Sequence, residues 1–108
     1  MSDLKDLIER AQELRHEYDR VDVKNGRSKW SSKDYAEGFT RGAGDLLKLV
    51  RAKDNLRSVD NVDSKLAHEL AVCLWSVMVI ADCYDLDLEK EFLHTVEIMT
   101  YKIDGGKE

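Results

Sequence analysis

At 108 residues, with 43% hydrophobic and 36% charged side chains and no proline, the chain fits one domain with nothing to interrupt long helices. A net charge of −5 and a pI near 5.2 exclude a broad surface for a nucleic-acid polymer, which needs Lys and Arg in clustered excess. The opening MSDLKDLIER lacks the basic start and apolar core of a signal peptide, and the longest apolar run is too short for a bilayer, so a cytoplasmic location without a membrane partner is expected.

Ser2 is placed to cap a first helix, with Asp3 and Asp6 in its positive first turn. Leu4, Leu7, Ile8, Ala11 and Leu14 recur at helical spacing, which predicts a helix to about Tyr18. Residues 19–30 lose the periodicity and contain the turn pair Asn25-Gly26, so they are expected to form a loop. Trp30 near its end is either a plug over the core or a stacking surface for a ligand.

Ser31 and Asp34 have the spacing of a capping box and open a second helix to about Ala52. Its inner face is Tyr35, Phe39, Gly42, Ala43, Leu46 and Val50. Gly38, Gly42 and Gly44 lie inside it, where each costs up to about 1 kcal/mol relative to alanine unless something must approach closely. Lys48, Arg51 and Lys53 extend from its second half, by default a solvated face.

A polar connection over 54–62 leads to a third helix, capped by Asp63 or Ser64 and ending near Tyr84. It contains KLAHELAVCLWSVMVIAD at 65–82, and between Leu70 and Ala81 its only polar side chain is Ser76. Such a helix is apolar on nearly every face, so it is expected at the centre, and full burial calls for a second copy of so short a chain. Glu69 stands just before the apolar run, and burying an ionised carboxylate is costly unless it is paired or metal-bound. Asp87 caps a fourth helix with the stripe Leu88, Phe92, Val96, Met99 and Ile103, ended by Gly105-Gly106. The expected fold is all-α, a four-helix bundle without strands.

Two familiar chemistries fall away. His68-Glu69 begins the His-Glu-x-x-His pattern of zinc proteases, but Val72 holds the second histidine position. Cys73 sits among apolar residues that raise a thiol pKa, and Cys83 lies too far along the same helix to bridge to it. What stands out is Asp45 on helix two with Glu69 on helix three, since inward carboxylates from adjacent helices build sites for hard divalent cations.

The run Gly38-Phe39-x-x-x-x-Gly44-Asp45-Leu46-x-Lys48-Leu49-Val50-x-Ala52-Lys53, followed by Lys65-Leu-Ala-His-Glu-Leu-Ala-x-Cys-Leu-Trp-Ser, resembles the MazG-like branch of the all-α nucleoside triphosphate pyrophosphohydrolases. The resemblance runs over residues 4–103 and includes the corner from Val79-Ile-Ala-Asp82 to Phe92. It implies a homodimer or tetramer that splits a nucleoside triphosphate into a monophosphate and pyrophosphate. Two acidic pairs would hold Mg²⁺ or Mn²⁺, and Asp45 and Glu69 match one member of each. Lys48 or Lys53 would lie near the phosphates, and Trp30 would face the base.

The chain departs from that pattern where the missing acids belong, at Gly42 and Val72, and Arg41 holds a position that is often acidic in relatives. Glu37 lies two turns from Asp45, roughly 12 Å by helix rise, too far to compensate. Two carboxylates in place of four weaken Mg²⁺ binding, so the implied hydrolysis is expected to be weak or lost. The alternative is an inactive nucleotide-binding or protein-interaction module on the same fold. A third reading is a structural four-helix protein in which Asp45 and Glu69 pair with Arg or Lys.

Overall fold

Four helices follow one another in the computed structural model, which describes residues 3–54 and 61–105: α1 (Leu4–Lys24), α2 (Ser32–Asp54), α3 (Val62–Cys83) and α4 (Leu88–Ile103). No strand occurs among the described residues. Ser2, the connection at 55–60 and the tail from Gly106 lie outside them.

The helix ends follow side-chain chemistry more closely than periodicity alone suggested. Asp3 caps α1 by accepting from the Asp6 amide at 3.0 Å. The capping box at Ser31 is formed in both directions: the Ser31 amide donates to Asp34 Oδ2 at 2.9 Å, and the Asp34 amide donates to Ser31 Oγ at 3.3 Å. Asp87 accepts from the Lys90 amide at 3.1 Å and starts α4 where the sequence places it. For α3 the expected side-chain cap is absent: Asn61, at φ 58°, precedes the helix without a capping hydrogen bond, and Asp63 falls inside the first turn.

The largest difference is the length of α1, which continues through Lys24 where a loop was expected from residue 19. Leu14, Tyr18 and Val21 continue the helical spacing at wide intervals, and ion pairs link Glu17 with Arg20 and Asp22 with Arg27. The real stop is the Asn25-Gly26 turn, where Gly26 takes φ 73°.

Helices α2 and α3 pack antiparallel along most of their length, and α1 lies across α3. Close approach between α2 and α3 is set by Gly42, where an added Cβ would stand 3.4 Å from Glu69 Oε2 and 3.5 Å from Cys73 Sγ. At the other end the Tyr35 ring meets Trp75 edge-on at 5.7 Å. Trp75 also donates from Nε1 to the Ala11 carbonyl of α1 at 3.3 Å, so one indole joins three helices. Asp82 fixes α1 further, accepting from Gln12 at 2.8 Å and from Arg15 at 2.9 Å.

The core is small: Ala11, Tyr35, Ala52, Met78, Val79 and Ala81, with Ser76 satisfied by the Val72 carbonyl at 3.1 Å. Burial therefore covers only the second half of the apolar run in α3, while Leu70 and Leu74 stay about half exposed. Helix α4 has no buried residue and no extended packing against the other three. Phe92, Leu93, Met99 and Ile103 are all more than half exposed. A radius of gyration of 17.2 Å, against about 13 Å for a compact chain of this size, shows the same openness. By length and composition alone the 22 residues of α3 are long and apolar enough to cross a membrane, a test that the central helix of a helical bundle also passes.

Candidate functional site

Asp45 and Glu69 line the same groove. An open groove between α2 and α3 is lined by Asp45, Lys48 and Leu49 from one helix and by Ser64, Lys65, His68 and Glu69 from the other. Helical spacing explains both sets: Asp45 and Lys48 are one turn apart, as are Lys65, His68 and Glu69. Asp45 is exposed and Glu69 half-buried, and neither carboxylate makes an ion pair or hydrogen bond among the described residues. Among the described residues, neither acid is paired with Arg or Lys.

The remaining expected residues lie elsewhere. Lys53 ion-pairs with Asp63 at 2.6 Å and does not line the groove. Trp30 lies over Gly38, with its ring 3.4 Å from where a Cβ would be, and walls a separate hollow with Tyr18, Asp22, Tyr35 and Trp75. Val72 is 37% exposed and is not among the groove's lining residues, and Glu37 is exposed and also outside it. Lys65 and His68 were the residues passed over, although their spacing with Glu69 on one helix is visible in the sequence.

No cluster of three or more His, Cys, Asp or Glu able to hold a metal occurs among the described residues. The donor set in the groove is two carboxylates beside two ammonium groups, so a free divalent cation meets little net attraction. A cation arriving on a phosphate chain fits better: Mg²⁺ is commonly held by one or two carboxylates plus substrate phosphates. Lys48 and Lys65 then complement the remaining phosphate charge.

Cys73 borders the same region, within reach of Glu69 across Gly42. Burial pushes its thiol pKa above the ordinary 9.0, and the Glu69 charge adds to the rise. Alkylation by iodoacetamide at pH 8 is expected to be slower at Cys73 than for a free thiol, and Glu69→Gln should speed it a few-fold. The linkage has a definite sign. A folded-state pKa above the unfolded value gives stability that is complete below about pH 9 and is lost as pH rises through the folded value. Tyr35, raised from 10.0 chiefly by burial and then by Asp19, acts in the same sense at higher pH. In urea melts between pH 8 and 10.5, Cys73→Ala should flatten the first part of this decline; an unchanged slope would contradict the assignment.

Comparison with family models, curated proteins and solved structures finds no match to this chain.

Proposed function

We propose that the chain is a MazG-like helical protein that binds nucleoside triphosphates as their Mg²⁺ or Mn²⁺ complexes and hydrolyses them weakly or not at all. The observation that supports this reading is the unpaired Asp45 and Glu69 lining one groove beside Lys48 and Lys65. Two carboxylates from facing helices accept the cation side of a metal–phosphate complex, and the two ammonium groups accept its anionic side. A bound Mg²⁺ would neutralise the triphosphate and lower the pKa of a coordinated water. Gly42 and Val72 leave this chain without further carboxylates to position such a water. That favours binding over turnover.

The same reading includes self-association. The apolar face of α4 and, on α3, the exposed Leu70 and Leu74 offer apolar area suited to a second copy, and a homodimer or tetramer would bury it. A protein-interaction module is the second reading, and that same uncovered surface favours it.

Thermal unfolding with ATP, dATP, CTP and dCTP, each with and without Mg²⁺, tests the proposal. At a hundredfold excess over Kd, a ligand of the native state adds about 2.7 kcal/mol, which raises the Tm of a domain this size by roughly 10 °C. The nucleotide with metal is expected to exceed either alone. Asp45→Asn with Glu69→Gln should abolish the shift. No shift with any nucleotide would sink the proposal.

A further inference from the structure

The hollow around Trp30 has a chemistry of its own. Tyr18, Trp30, Tyr35 and Trp75 wall a cavity of about 320 Å³, and Asp22 is the charged residue in its lining. Adjacent rings meet steeply: Trp30 and Tyr35 at 61° with centroids 5.3 Å apart, Tyr18 and Trp75 at 63° and 5.9 Å, Tyr35 and Trp75 at 75° and 5.7 Å. None of these three contacting pairs is stacked face to face. Steeply inclined walls form a box, which suits a compact, nearly spherical group.

Electrostatics select the sign of that group. Aromatic faces carry negative potential, and no Lys, Arg or His lines the cavity. The Asp22 side chain is 18% exposed and accepts at Oδ1 from Arg27 Nε at 3.1 Å, which leaves Oδ2 without a hydrogen bond among the described residues. One turn earlier on α1, Asp19 Oδ1 is buried without a partner. Arg15, whose charge is held by Asp82, already lies 5.8 Å from the centroid of Tyr35, so a ring of this cluster accepts a cation from within the chain.

We propose that this aromatic box is a binding site for a quaternary ammonium group, held over the faces of Trp30, Tyr18 and Trp75 and balanced by Asp22. The group comes either from a small molecule of the choline type or from a trimethylated lysine side chain, both of which present the same trimethylammonium. The site stands apart from the phosphate groove and does not depend on it.

Trp30 and Trp75 are the only tryptophans, so intrinsic fluorescence of the full chain reads the site directly. Titration with tetramethylammonium and with choline is expected to saturate. Sodium chloride at equal ionic strength and the neutral isostere 3,3-dimethylbutan-1-ol are expected not to. A peptide carrying trimethyl-lysine, run beside its unmodified form, separates the two sources: tighter binding than choline assigns the site to a modified protein, weaker binding to a free small molecule. Trp30→Ala should lower affinity about tenfold and Trp30→Phe less, as loss of one desolvated cation–π contact predicts. Asp22→Asn should weaken binding about threefold or more, and circular dichroism checks that each variant keeps its helices. Equal quenching by the neutral isostere would overturn the proposal. So would saturation by cytidine or adenosine without saturation by tetramethylammonium, or an unchanged affinity in Trp30→Ala.

Discussion

Gly42→Asp combined with Val72→Asp is expected to turn the α2–α3 groove into a site that binds Mg²⁺ on its own. A Cβ at residue 42 stands 3.4 Å from Glu69 Oε2, so an aspartate there is in contact with the Glu69 carboxylate. Val72 lies outside the groove's present lining but follows Glu69 by one helical turn and is 37% exposed, so an aspartate there gives up little burial and can reach toward Glu69. A unit charge about 4 Å from another is worth about 4 kcal/mol at an effective dielectric of 20. Even after half is lost to desolvation, each added carboxylate should strengthen Mg²⁺ binding by more than tenfold, and the pair by more than a hundredfold. Without metal, the crowded acids should lower stability by about 1–2 kcal/mol, and millimolar Mg²⁺ should restore it. Melting curves with and without Mg²⁺ measure the first effect, and pyrophosphate release from a nucleotide panel measures whether hydrolysis follows. A variant that ignores Mg²⁺ would show that Asp45 and Glu69 do not converge as a ligand set. A native chain that turns over as fast as the variant would show that two carboxylates suffice.

The second large effect belongs to α4. If its apolar face covers a second copy, Phe92→Glu with Met99→Glu is expected to yield a monomer. Each of these side chains is 58% exposed in the single chain. Burying a Phe or Met side chain fully is worth about 1.5–3 kcal/mol, and two-fold symmetry counts each contact twice. With 58% of each side chain still to be buried, removing both should weaken association by at least about 3.5 kcal/mol, roughly two to three orders of magnitude in Kd. Sedimentation velocity over a hundredfold range of concentration is the direct measurement. Helix α4 has no buried residue, so the variant should keep the helicity of α1–α3 and lose at most that of α4. A native protein that sediments as a monomer at all concentrations would remove the self-association reading and leave the face to another partner.

Much of this architecture is visible in the residues themselves because helix ends are written in local chemistry. Asp87 and the Ser31–Asp34 pair mark their helices within one turn, and the stripe of α4 is regular enough to read directly. Helix α1 was harder. Beyond Leu14 its apolar residues thin out to Tyr18 and Val21, and the charged residues between them belong to a solvent face that hydrophobic periodicity does not register. The Asn25-Gly26 pair was the more reliable mark, since it needs a left-handed glycine. At the groove, Asp45 and Glu69 were legible as facing carboxylates once the two helices were taken as antiparallel, whereas spacing alone placed Lys48 on a solvated face. Lys53 and Trp30 were not, because their neighbours come from other elements: Asp63 from the start of α3, and Tyr18 and Trp75 from α1 and α3. Sequence spacing locates faces on one helix. It does not say which side chain of another helix will already hold a lysine or enclose an indole.

The lack of any buried residue in α4 among the described residues has a further consequence for its order. A helix of 16 residues is near the length at which helices in water are only marginally stable alone, so packing must supply most of its stability. When that packing comes from another molecule, the helix–coil equilibrium of α4 becomes subject to mass action. Dilution should then loosen α4 while α2 and α3, which stabilise each other within the chain, keep their amides protected from exchange. The concentration of the protein would thus set not only its assembly but how much of it is folded.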